Sequence, residues 1–133
     1  MAFIEWTGAL SVGIDEIDGQ HKGLVAMIND LATAVEEGKG KVAEAAILER
    51  LAAYTVEHFS LEERLFAERG YPAANAHKAE HDNFVKRVEA FRADHATGKG
   101  NLDGEMLFFL RSWLTNHISF SDKKYRPFLA RRA

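Results

Sequence analysis

The stretch from residue 77 to residue 91, which reads HKAEHDNFVKRVEAF, decides the fold of this chain. Its large apolar residues, Phe84 and Val88 among them, recur at spacings of three and four, which is typical of an amphipathic helix. His77 and His81 are four residues apart and lie on this same apolar face. The stretch therefore predicts a helix that carries two histidines towards the interior of the protein.

Three further segments have apolar residues at helical spacing, and stretches rich in glycine or proline separate them. The four segments run from about residue 18 to 37, 41 to 68, 72 to 96 and 105 to 121. Four helices of similar length with short connections predict an all-α fold, an up-down-up-down antiparallel four-helix bundle. We expect a single domain at residues 1–133, with an N-terminal arm at 1–17 and a C-terminal tail at 122–133.

The composition excludes several classes of function. A chain of 133 residues with 47% apolar residues is typical of one globular domain. The net charge of -3 argues against a protein that binds nucleic acid, and the absence of cysteine excludes disulfides, thiolate nucleophiles and cysteine-ligated metals. No apolar run approaches the ~18 residues of a membrane span, and no signal-peptide pattern opens the chain. We therefore expect a soluble, cytoplasmic protein without a membrane span.

Each of the other three helices also carries histidine on its apolar face. His21 begins the apolar stripe of the first helix, His58 and Glu62 share a face of the second, and His117 continues the stripe of the fourth. In an up-down bundle all these positions fall at the same end. A lone buried histidine is usually a core residue with a partner, but an unpaired polar group costs roughly 1–3 kcal/mol. Five histidines at one depth therefore predict metal binding.

Spacing alone leaves Asp122 undecided and sets His95 apart. Asp122 follows His117 by five residues and lies off its face unless the helix ends or distorts there, so a solvated aspartate fits equally well. His95 shares the face of His77, but it lies about 27 Å further along the helix. We therefore interpret His95 as a surface histidine.

Ligand type limits the choice of metal without fixing it. Five histidines and two carboxylates are too many for one zinc ion and suit a pair of metals. Imidazole binds iron, copper, zinc and nickel, so a zinc or manganese protein remains an alternative to iron. The Glu-x-x-His pairs of the ferritin-like di-iron proteins do not occur in this sequence, which disfavours that class of oxidase.

The order and spacing of these residues resemble the hemerythrin family, in particular its stand-alone bacterial form. The resemblance covers nearly the whole chain and has no departure at a ligand position. The matching motifs are Ile17 to His21 with Leu24, His58 to Glu63, Tyr71-Pro72, His77 to Phe84, Trp113 to His117 and on to Asp122, together with Trp6 and Ser11-Val12-Gly13.

The resemblance implies a di-iron centre in which the two irons have different numbers of histidine ligands. It implies that His77, His81 and His117 hold one iron and that His21 and His58 hold the other. One coordination position would stay open, on the iron with two histidines.

The resemblance also assigns the carboxylates and the pocket. Glu62 and Asp122 would bridge the irons together with a solvent-derived oxo or hydroxo group, and O2 would bind at the open position. Trp113 and Leu114, one turn before His117 in sequence, would line a dry pocket for O2; their alternative role is plain core packing.

The resemblance favours reversible O2 binding, for storage, transport or delivery, over an enzymatic function. Alternatives at the same irons are sensing of O2, redox state or nitric oxide, and peroxidase or nitric-oxide-reducing chemistry. The expected partners are O2, or nitric oxide and small anions at the open iron, and an unidentified protein recipient of O2. We expect a monomer.

Overall fold

The computed structural model describes residues 3–97 and 103–129, and the elements in these ranges are helical. A short 3-10 helix at Gly8–Leu10 precedes the bundle. The others are α1 (Asp15–Glu36), α2 (Lys41–Arg69), α3 (Ala74–Ala96), α4 (Asp103–Asn116), a π-helical segment (His117–Asp122) and α5 (Lys123–Leu129). Helix α2 packs against α1 and α3, and α4 packs against α1, which closes a four-helix bundle. The predicted all-α bundle is therefore confirmed. Within the described ranges, no helix has the length and apolar character needed to span a membrane.

The helix boundaries differ from the sequence prediction by a few residues, for local reasons. Helix α1 begins at Asp15 rather than at 18, and its first turn contains acidic residues that favour a helix N-terminus. Gly70 ends α2 with a φ of 64°, a left-handed conformation that glycine adopts without strain. Pro72 lies in the turn before α3 rather than in its first turn, because α3 begins at Ala74.

The N-terminal arm packs on the bundle through polar contacts to α1. The Asp18 carboxylate accepts hydrogen bonds from the Ser11 hydroxyl (2.5 Å) and the Val12 backbone N–H (2.8 Å). The Asn29 amide exchanges two hydrogen bonds with the backbone of Ile4, at 2.7 and 3.0 Å. Ile4 and Val12 are buried as a result, so the arm extends the core over one side of α1.

Beyond α4 the chain stays helical but changes its winding. The π-helical segment at His117–Asp122 leads directly into α5, which folds against the end of the bundle. Tyr125 and Leu129 of α5 are buried there, and Phe128 packs its ring near Tyr71. This end of the bundle therefore has an apolar cover, and it is the end at which the histidines lie.

The bundle core should respond strongly to a cavity on α2. Leu51 is fully buried, and Val42 on the same helix is 87% exposed. We expect Leu51→Ala to lower the free energy of unfolding by about 2–5 kcal/mol, because it removes packed methyl groups and leaves a cavity. The matched control, Val42→Ala, should change it by less than about 0.5 kcal/mol in urea unfolding. Equal effects of the two substitutions would contradict this packing.

Candidate metal centre

Seven ionisable side chains meet in one buried cluster at the covered end of the bundle. None of them exposes more than 5% of its surface, although all seven are polar. They come from α1, α2, α3 and the π-helical segment: His21, His58, Glu62, His77, His81, His117 and Asp122. The structure thus brings together every residue that the sequence singled out as a metal ligand.

Glu62 lies between two groups of histidines and turns one oxygen to each. Its Oε1 is 3.0 Å from Nε2 of His81 and 3.9 Å from Nε2 of His77. Its Oε2 is 3.5 Å from Nε2 of His58 and 3.7 Å from Nε2 of His21. A single carboxylate therefore faces both groups at once.

Asp122 repeats this arrangement from the opposite side of the cluster. Its Oδ1 is 2.9 Å from Nε2 of both His77 and His117, whereas its Oδ2 is 3.0 Å from Nε2 of His21. The cluster thus divides into a three-histidine pocket (His77, His81 and His117) and a two-histidine pocket (His21 and His58). Each pocket also contains one oxygen of Glu62 and one oxygen of Asp122.

The π-helical segment explains how Asp122 reaches this cluster. In an α-helix, a residue five positions after His117 points away from its face. A π-helix closes its hydrogen bonds between residues five apart, which places such residues over one another. His117 and Asp122 begin and end this segment, so the wider winding turns both side chains into the cluster.

The donor atoms of the cluster fit a pair of metal ions. Eight buried nitrogen and oxygen atoms lack a partner with hydrogen-bond geometry within the described part of the chain, and most of them face the space between the carboxylates. They are His21 Nδ1 and Nε2, Glu62 Oε1, His77 Nε2, His81 Nε2, His117 Nε2, and both Asp122 carboxylate oxygens. Buried polar atoms are normally paired, and imidazole with carboxylate suits iron. The buried cluster therefore fits a di-iron site.

The negative charge of the two buried carboxylates also favours cation binding. Burial opposes ionisation of Glu62, but neighbouring histidines, His58 foremost, hold its pKa well below the usual value. Burial and the charge of Glu62 likewise oppose ionisation of Asp122, yet the contacts from His117 and other histidines hold its pKa far below normal. Both carboxylates are therefore anionic at neutral pH. Burial lowers the pKa of His21, but contacts with Asp122 and Glu62 outweigh it and raise this pKa to about 9, so His21 is protonated in the metal-free chain and must release its proton when a metal binds.

Carboxylates support two histidines of the three-histidine pocket from behind. The Nδ1–H of His81 donates to Glu63 Oε2 at 3.0 Å, and the Nδ1–H of His117 donates to Glu80 Oε1 at 2.9 Å. The Ser121 hydroxyl donates to the same Glu80 oxygen at 2.6 Å. These bonds fix both rings with Nε2 towards the cluster, the orientation that metal ligation requires.

The two-histidine side has neutral partners instead. The Nδ1–H of His58 donates to the side-chain amide oxygen of Gln20 at 2.7 Å. The Tyr125 hydroxyl donates to Oε2 of Glu62 at 2.5 Å. The sequence predicts no contact of Gln20 or Tyr125 with the metal cluster, although Gln20 directly precedes His21 and Tyr125 follows Asp122 by three residues.

Comparison with known proteins agrees with this geometry. Residues 12–129 match the family model described as the hemerythrin HHE cation binding domain. The chain belongs to the hemerythrin family. It is 40% identical over 125 residues to a bacteriohemerythrin of Pseudomonas aeruginosa, covering 94% of this chain and 80% of that protein. It is 34% identical over 132 residues to a bacteriohemerythrin of Methylococcus capsulatus, covering 98% and 99%. A crystal structure of wild-type hemerythrin superposes with a TM-score of 0.91 at 33% identity, covering 98% of this chain and all of that one.

One prediction about this hemerythrin domain is wrong. His95 is not a surface histidine but is 8% exposed, and its Nε2 lies 3.0 Å from Oε1 of Glu44. Glu44 on α2 is itself buried, so each side chain satisfies the other. His95 still lies too far from the metal cluster to take part in it, because His95 and the cluster histidines His77 and His81 are at opposite ends of α3.

The two residues expected to line an O2 pocket have different surroundings in this hemerythrin domain. Trp113 stacks on His117 with ring centroids 4.3 Å apart and planes 14° apart, which places its indole beside the three-histidine pocket. It also contacts Phe59, whose ring stacks on His81 at 3.7 Å. Leu114 is 2% exposed within the apolar core.

The stability of the metal-free protein should depend on pH through His21. Because its pKa is raised from 6.5 to about 9, protonated His21 stabilises the folded chain fully below pH 6.5, and this contribution is lost as the pH rises through about 9. We expect the free energy of unfolding of chelator-treated protein to fall across this interval, by at most about 1.4 kcal/mol per unit of pKa shift. Urea unfolding at several pH values measures the slope. In His21→Gln the slope should be shallower, and equal slopes would contradict this assignment.

Proposed function

We propose that this protein binds O2 reversibly at a non-heme di-iron centre, for storage, transport or delivery of oxygen. The observation that carries the proposal is the division of the cluster into two unequal pockets by two shared carboxylates. Among the residues that the structure describes, five side chains can serve a metal in the three-histidine pocket and four can serve one in the two-histidine pocket. The metal with fewer protein ligands has room for a further ligand.

The residues divide between the two irons as follows in this proposal. His77, His81 and His117 would hold one iron and His21 and His58 would hold the other, while Glu62 and Asp122, each with one oxygen towards either pocket, would serve both irons together with a solvent-derived oxo or hydroxo group. Bound iron supplies the redox-active metal chemistry by which O2 is taken up and released. The protein supplies ring nitrogens that are already oriented and two carboxylates that balance the charge of the metals.

Exclusion of water is the other task of the chain in this function. All seven side chains of the cluster are buried, and aromatic rings of Phe59 and Trp113 pack directly against its histidines. We propose that Leu114 lines the space that O2 occupies, whereas Trp113 packs on His117 beside the three-histidine pocket. An apolar lining opposes the escape of charged oxygen species, because a charge is poorly solvated there. It thereby slows irreversible oxidation of the irons.

Absorption spectroscopy of the iron-loaded protein tests the proposed function. Iron is quantified, the protein is reduced without oxygen, and spectra are recorded after O2 is added and again after it is removed. We expect two irons per chain and charge-transfer bands that appear with O2 and vanish on its removal. A single irreversible oxidation step would contradict the proposal and would favour redox sensing or catalysis, which peroxide and nitric-oxide turnover assays would then separate.

Metal stoichiometry should distinguish the cluster from the other buried histidine on the same helix. His81→Gln removes a ring nitrogen from the three-histidine pocket, so we expect fewer than two bound irons per chain by elemental analysis. His95→Gln is the matched control, because His95 is also buried on α3 but pairs with Glu44. It should retain two irons. Loss of iron in both variants, or in neither, would contradict the ligand assignment.

The lifetime of the oxygenated protein should depend on the polarity at position 114. Leu114→Ser admits water to an apolar site, so we expect the oxygenated form to decay to the oxidised form at least several-fold faster. Leu114→Met keeps the volume and the apolar character and should leave the decay rate close to that of the wild type. The decay is followed by the loss of the oxygen-dependent absorption band. Equal lifetimes for the serine variant and the wild type would show that Leu114 does not protect the site.

A further inference from the structure

The hydrogen bonds behind the metal-facing histidines differ between the two pockets. In the three-histidine pocket, His81 and His117 each donate to a carboxylate, Glu63 or Glu80. In the two-histidine pocket, His58 donates to the neutral amide oxygen of Gln20. The Nδ1 of His21 is buried and has no hydrogen-bond partner within residues 3–97 and 103–129.

Tyr125 adds to this difference through the bridging carboxylate. Its hydroxyl donates to Oε2 of Glu62, the oxygen that faces His58 and His21, and not to Oε1, which faces His81. Tyr125 is fully buried between Phe66 and other aromatic rings, so this hydrogen bond is held in place by packing. The hydroxyl draws charge from the one Glu62 oxygen that serves the two-histidine pocket.

Both kinds of contact act in the same direction. A carboxylate that accepts the Nδ1–H of histidine increases the basicity of the opposite ring nitrogen and so strengthens its bond to a metal, whereas an amide oxygen does so much less. A hydrogen bond to a carboxylate oxygen weakens the donation of that oxygen to a metal, because part of its charge is already engaged. The two-histidine pocket thus offers a metal fewer ligands than the three-histidine pocket does, and its ligands are weaker electron donors.

We propose that Gln20 and Tyr125 are positioning residues that make the two-histidine pocket the weaker and more electron-poor of the two metal positions. This inference rests on the proposed function only in requiring that the cluster holds two metals.

Titration of the chelator-treated protein with Co2+, followed by visible absorption, tests this inference. Co2+ absorption reports both the affinity of each step and the ligand environment of the metal. In the wild type we expect two steps, the weaker of which is abolished in His21→Gln. Gln20→Glu gives His58 a carboxylate partner and should strengthen the weaker step about tenfold without moving the stronger one. Tyr125→Phe should also strengthen the weaker step, because Glu62 Oε2 then donates fully.

The matched control acts on the other pocket. Glu63→Gln replaces the carboxylate behind His81 by an amide of the same shape, so it should weaken the stronger step about tenfold and leave the weaker one in place. Circular dichroism of each metal-free variant checks that the helices form. A gain of affinity is the deciding readout, since damage to the structure lowers affinity instead of raising it.

Three outcomes would overturn the inference. The first is that Gln20→Glu and Tyr125→Phe leave the weaker Co2+-binding step unchanged or weaken it. The second is that Gln20→Glu and Glu63→Gln act on the same step. Binding of fewer than two Co2+ ions per chain by the wild type would overturn both the inference and the proposed di-iron function. If the variants shift the two steps as expected but the iron-loaded protein oxidises irreversibly, the inference stands and the O2 function alone fails.

Discussion

The structure depends on the burial of two carboxylates among five imidazoles. Removing two anions from water is costly, and the neighbouring histidines offset this cost in the metal-free chain, but many of the facing atoms still have no partner with hydrogen-bond geometry in the described ranges. Metal ions between these atoms would satisfy the donor set on both sides of Glu62 and Asp122. The four-helix bundle provides what this requires, since its helices deliver donors from several directions to one depth.

The C-terminal end of the bundle is shaped by the same requirement. A regular α-helix through residues 117–122 would carry Asp122 away from the cluster, and the π-helical winding brings it back. This change of winding directs the chain into α5, which places Tyr125 under Glu62 and covers the cluster with apolar side chains. One local irregularity thus supplies a carboxylate that faces both pockets, a hydrogen-bond donor to the other carboxylate and an apolar cover.

Much of this architecture could be predicted from the sequence, and the failures have physical causes. The helices and the inward faces of His58, Glu62, His77 and His81 follow from spacings of three and four, because that periodicity is a property of the α-helix itself. Asp122 could not be placed by spacing, because no local signal marked a π-helical turn; only the resemblance to the hemerythrins included it. His95 was misplaced because its partner Glu44 is 51 residues away in sequence. The contacts of Gln20 and Tyr125 also depend on which side chains face one another across helices, which no periodicity reveals.

A crystal structure of the iron-loaded protein with anomalous scattering data tests the central claim most directly. The account predicts two iron peaks within the cluster, one beside His77, His81 and His117 and the other beside His21 and His58. Glu62 and Asp122 should each place one oxygen on each iron, and the open coordination position should lie on the iron with two histidines. A single peak, or a second iron outside the two-histidine pocket, would contradict the account.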